Sequence, residues 1–190
     1  AAPDAALAAP AAAAVTLRNR RRDYSPEVAA LLPGTPLRIQ SDDGTTTRTH
    51  FTGFVSRVEP QPGAYGAQTT VIHATGADAA LAQHLIRLPP QVNVRAHEVI
   101  ARVLDGVPLR RPVLQGRWLL GRIGHSELGR YSRLPAPALT ATLDSGRSVL
   151  AYIGDTWADG IAADEAIRQA AAAERGRFFF DREGQAVFYN

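Results

Sequence analysis

The sequence predicts an α+β protein: a small β-barrel with packed helices and an inserted or second β-rich subdomain. Three observations carry that expectation. Residues 50–76 alternate aromatic, β-branched and polar side chains on either side of a Pro/Gly-rich break, as two half-buried strands joined by a turn would. Residues 96–104 set Val99, Ile100, Val103 and Leu104 along one helical stripe. Residues 161–190 place an alanine-rich helix ahead of RFFF and AVFY, two strand-like runs around a turn.

Composition sets the bounds. A chain of 190 residues forms one medium domain or two small intertwined ones, enough to bury about 70% of its unfolded surface. It has no cysteine, which excludes thiolate metal sites and cysteine nucleophiles. All 21 basic residues are arginine, a bias that fits a GC-rich coding sequence more than a particular chemistry. The net charge of +3 is modest, and the arginines are scattered except at Arg20, Arg21 and Arg22, unlike a dedicated duplex-binding face. No apolar run approaches the roughly 20 residues of a membrane span.

The chain opens with an Ala/Pro leader, residues 1–14, that lacks the charged and apolar regions of a secretory signal. Such a segment has little to bury alone, so neighbouring subunits are expected to hold it. A first strand spans Val15 to Arg18. The loop NRRRDYSPE follows, and its arginine triplet is either a solvated loop or a contact for an acidic neighbour or a nucleic acid backbone. Leu37 and Ile39 alternate with Arg38 and Gln40 as a second strand, closed by a tight two-residue turn at Ser41-Asp42-Asp43-Gly44. Threonines follow where a calcium loop would need more oxygen ligands.

The strand from Phe51 to Val58 contains Gly53, a sign of a bulge or a close backbone approach, and the exposed turn at 60–66 leads to its partner at 69–74. Such a bent hairpin suits a small barrel. A short helix runs from Asp78 to about Leu85 with Leu81 and Leu85 on one face, and Pro89 and Pro90 stop it. The helix at 96–104 is expected to pack on the sheet. Between 110 and 156 the pattern is broken: Pro112 to Ile123 and Leu134 to Leu143 read as extended, Val149 to Ile153 as a strand, and Trp118 as a core or interface anchor. The final helix starts at Asp159 or Gly160, is capped by Gly176, and leads to a hairpin around Asp181-Arg182-Glu183-Gly184.

Motifs for catalysis are weak. Gly124-His125-Ser126-Glu127-Leu128 nearly copies a nucleophile elbow but carries leucine where the strained turn needs glycine. His50, His73, His84, His97 and His125 fall in separate elements without the spacing of a helical zinc site, and each reads as a surface or hydrogen-bonded histidine. No catalytic residue, metal site or cofactor is therefore assigned.

The order VTLRNRRRDYSPE, LLPGTPLRIQSDDGTT, FTGFVSRVEPQPG, a second strand, AHEVIARVLDGV and FFFDREGQAVF resembles the hub and tail-tip proteins of tailed bacteriophages, contractile injection systems and gene transfer agents. The likeness spans roughly residues 15–107 and 157–190. It implies a hub-like barrel domain at 15–107, a β-rich linker or inserted subdomain at 108–156, and a C-terminal helix and hairpin at 157–190 continuing into a longer polypeptide. In function it implies a structural component of a virion tail, assembled in the bacterial cytoplasm. A homo-oligomer, a trimer in this family, would ring the tail-tube lumen, contact the distal tail or tube protein and a spike or fibre, and let DNA pass. Candidate interface residues are Arg20, Arg21, Arg22, Phe51, Phe54 and Trp118. Two other classes compete: a cell-wall-degrading domain carried at a tail tip, and a small barrel binding single-stranded nucleic acid. An aromatic content of 7%, without arginine and aromatic residues interleaved outside RFFF, counts against the last.

Overall fold

The computed structural model describes residues 6–20, 22, 24–25, 31–63, 68–107 and 141–190. Arg21, Trp118, His125 and the rest of 108–140 lie outside the described residues. The protein is mixed α+β, rich in sheet with few helices, and its chain divides into two compact units. One contains 11–76 among its described residues; the other gathers 6–10, 77–107 and 141–190.

The first unit is a four-stranded antiparallel sheet of β1 (Ala12–Arg18), β2 (Pro36–Asp42), β3 (Thr47–Gln61) and β4 (Thr69–Thr75), in the order β1-β4-β3-β2. The two expected strands of 50–76 are β3 and β4, and the period-two pattern sets which side chains share a face. Val15, Ile72 and Val58 align across three strands on one face, as do Ala13, Ala74 and Val55. Ile72, Ala74 and Val55 are buried there. Phe51 joins them in β3 and is buried too, whereas Phe54 lies on the opposite face and is half-buried.

Gly53 marks a close approach and not the bulge. A Cβ there would lie 2.3 Å from the Thr75 carbonyl oxygen and 2.6 Å from the Phe51 ring. The bulges fall elsewhere, between Val55 and Arg57 on β3 and between Ile39 and Gln40 in the β2 pairing. They bend the sheet, but among the described residues β1 and β2 are its two edges, so no closed barrel forms. The β2–β3 turn is also longer than two residues. The Asp43 carboxylate accepts from the amides of Thr45 and Thr46 at 3.0 and 2.7 Å, which stabilises a four-residue loop with Gly44 at φ +88°.

The second unit holds α1 (Ala79–Gln83), β5 (Leu85–Ile86), β6 (Gln91–Val94), α2 (Ala96–Gly106), β7 (Ala141–Leu143), β8 (Leu150–Ile153), β9 (Ile161–Ala162), α3 (Ala163–Ala173), β10 (Arg177–Phe180) and β11 (Ala186–Tyr189). The stripe of α2 is buried as expected, and what covers it within its own unit is α3. Ala163, Ala166, Ala170 and Ala171 are fully buried, and their small side chains let the two helices approach closely. Trp157 fills the core beside them, with its indole N–H donating to Gln169 Oε1 at 3.1 Å. The sequence pattern does not reveal this core tryptophan.

Two helix boundaries differ from expectation. Helix α1 ends at Gln83, so Leu85 begins a strand and is 71% exposed while Ile86 turns inward. Helix α3 begins at Ala163, because Ile161 and Ala162 pair with β5. At its end Arg175 takes the left-handed conformation, φ +57°, and the amides of Arg175 and Gly176 donate to the carbonyls of Ala172 and Ala171. Gly176 is small for another reason: a Cβ there would lie 2.6 Å from the Phe188 ring.

The hairpin β10–β11 forms where expected, with Asp181 Oδ1 accepting from the amides of Glu183 and Gln185. Beside β10, the Phe178 amide donates to the Ala6 carbonyl at 2.9 Å and the Ala8 amide to the Phe178 carbonyl at 3.1 Å. The stretch expected to be a leader thus pairs with its own chain at 6–8 and enters β1 at Ala12. Backbone hydrogen bonds order it, together with Leu7, which packs against the core of the second unit. Among the described residues no helix is long and apolar enough to cross a membrane.

Candidate functional site

The face of the four-stranded sheet opposite Ile72 carries a cluster of charged side chains. Beyond the bulge at Ser56, Arg57 pairs with His73 and Glu59 with Val71, so Arg57, Glu59 and His73 share one face. Arg57 Nη2 lies 3.0 Å from Glu59 Oε1, and the His73 Nε2–H donates to Glu59 Oε2 at 3.1 Å. One carboxylate therefore bridges two strands. Next to it lies an open trough of about 550 Å³, floored by Ala12 and Ala14 of β1 and flanked by Arg57, His73 and Thr75.

The chemistry of this cluster favours recognition. The Glu59 carboxylate is spent on Arg57 and His73, and the one hydroxyl at the bulge, Ser56, donates to the His73 carbonyl oxygen at 3.1 Å and not to the imidazole. What remains exposed is a short row of cation, carboxylate and imidazole beside a flat alanine surface, which suits a polar partner surface laid against a strand.

At the end of β1 the loop with the arginines is built on Asn19. Its buried amide nitrogen donates to Thr70 Oγ1 at 2.7 Å and Ser25 Oγ at 3.0 Å, and its Oδ1 accepts from the Tyr24 amide at 2.9 Å. The Asn19 amide donates to the Gln68 carbonyl, which ties the loop to β4. Arg20 and Arg22 stand exposed on this frame, Arg22 at φ +61°. They are brought together with Arg18, the last residue of β1, at the same end of the sheet as the β3–β4 turn.

Of the aromatic candidates, Phe51 is 8% exposed and covers Gly53, so it offers a neighbour almost no surface; that is a correction. Phe54, opposite Thr75, keeps partial exposure on the charged face. Sequence reasoning overlooked Arg57 and Glu59. A signal was present, since a hairpin loop centred on residue 65 sets 57 opposite 73 and 59 opposite 71. Of the remaining histidines, His50 Nε2 lies 2.6 Å from Ser41 Oγ and His97 Nδ1 accepts from the Gly146 amide at 2.9 Å. Among the described residues no group of three His, Asp or Glu is placed to hold a metal ion.

No family model matches the chain, and no curated protein sequence matches it. Among solved structures, the 43 kDa tail protein of prophage MuSo2 from Shewanella oneidensis is similar, at 15% identity and a TM-score of 0.49. The match covers 94% of this chain and 46% of that one, so this chain spans about half the length of that protein.

Proposed function

We propose that this protein is a structural component of a phage tail tip or baseplate hub. Copies would form a trimeric ring around the tail-tube lumen and link the tube to a spike or fibre for genome delivery. The observation that carries the reading is the open four-stranded sheet, with β1 and β2 as edges among its described residues, in a chain whose motif order resembles such hubs. Edge strands invite pairing, and β1 turns only Ala12, Ala14, Thr16 and Arg18 outward, side chains that let a neighbour's backbone come close. Pairing across subunits would close the sheet into a barrel-like wall. Arg18, Arg20 and Arg22 would then face an acidic neighbour or the lumen.

The test is the mass of the protein in solution by light scattering. The expected result is a trimer that reverts to monomer, with unchanged circular dichroism, when Ala14→Glu and Thr16→Lys charge the outward face of β1. A wild-type monomer at high concentration would sink the ring. In this reading the protein is not an enzyme, and cell walls incubated with it should stay intact; turnover would favour the cell-wall-degrading alternative instead.

A further inference from the structure

The C-terminal hairpin turns Phe178, Phe180 and Phe188 towards the core and a different set of residues outward. On the outward face Arg177 lies opposite Tyr189 in register, and the Phe179 ring packs 5.7 Å from the Tyr189 ring at 45°. Tyr189 is 53% exposed. Arg175 and Arg177 line an open pocket of about 320 Å³ whose other walls are Ala6, Ala172 and Gly176. Neither guanidinium forms an ion pair among the described residues. Arg175 also sits at the helix-terminating position where glycine adopts φ +57° without strain, and arginine does not. Two cations with no ion pair among the described residues, one held in a strained conformation, stand beside the exposed Tyr189 and the half-buried Phe179.

We propose that this face docks an acidic segment of a protein partner, with a carboxylate between Arg175 and Arg177 and an apolar side chain on Tyr189 and Phe179. Arginine takes a carboxylate through two parallel N–H donors, and arginine with tyrosine is the usual make-up of an interface hot spot. The charge layout selects a peptide over nucleic acid. The turn at the far end of the same hairpin, one four-residue strand or about 13 Å away, sets Asp181 and Glu183 against the single Arg182, a net negative charge that a phosphate backbone continuing along the face would meet. A segment with its acid at one end meets no such conflict. The inference stands independently of the tail-tip reading.

The experiment pans a displayed hexapeptide library against the full chain and measures one synthetic peptide of the consensus on the wild type and on Arg175→Gly, Arg177→Gln and Tyr189→Ala. The expected consensus carries Asp or Glu within two residues of an apolar side chain. Affinity should fall at least tenfold in each variant, and Arg175→Gly should at the same time unfold at a higher temperature than the wild type. That opposite movement of binding and stability separates a docking role from a structural one. A consensus without acid, or affinity unchanged in the variants, overturns the proposal. So does a thymidine oligonucleotide that binds through these residues more tightly than the peptide.

Discussion

Asn19 satisfies two hydroxyls and one backbone amide from a single buried amide group, so the arginine loop depends on one side chain. Asn19→Ala would strand Thr70 and the Tyr24 amide without partners, and we expect a loss of about 2–4 kcal/mol in urea unfolding. Arg175 gives the opposite case: glycine relieves the left-handed strain, and Arg175→Gly should gain about 1 kcal/mol in the same measurement. Gly154 combines both constraints, with φ +92° and space for a Cβ only 2.7 Å from the Trp157 ring. Gly154→Ala should therefore cost more than Asn19→Ala, seen as an earlier midpoint.

At the scale of elements, β3 can cross the sheet only because Gly53 leaves room for the Thr75 carbonyl. The Phe51 ring could swing aside, but the β4 backbone could not, so Gly53→Ala should cost about 3 kcal/mol and weaken amide protection in β4. Helix α2 begins with Glu98 accepting from the Arg95 amide at 3.0 Å, and this hydrogen bond holds the Glu98 carboxyl below its ordinary value. A depressed folded-state value means stability fully present above the unfolded value of about 4.3 and lost as pH falls through the folded one. Glu98→Gln should flatten that acid limb of a stability-against-pH curve while leaving the limb above pH 5 nearly parallel to the wild type.

At the scale of the whole molecule, the chain returns on itself. Residues 6–8 lie beside β10 although some 170 residues separate them, and Leu7 packs against the core that holds Phe178 and Phe188. Removing residues 1–8 should leave the four-stranded sheet intact and expose the edge of β10. Hydrogen exchange would register this at the Phe178 amide, whose acceptor is the Ala6 carbonyl, as at least a tenfold acceleration. Unchanged protection there would mean that this pairing contributes nothing in solution.

The sequence by itself determined the elements whose signals are local. The β3–β4 hairpin follows from period-two alternation around a Pro/Gly turn, α2 from its apolar stripe, and the last hairpin from Asp181 and Gly184 between two aromatic runs. Only the tertiary structure decided what these elements pack against, because burial depends on partners distant in sequence. Alanines in α3 look alike whether they meet a sheet or a helix, and it is the stripe of α2 that selects them. Phe51 and Phe54 read equally as interface residues until the register sends one to the core and leaves the other on the charged face. The Arg57–Glu59–His73 cluster follows from the unbroken β3–β4 register near the turn, but the bulge at Ser56 has no local signature, and it is this extra residue that puts Phe54 and not Val55 on the face of the cluster.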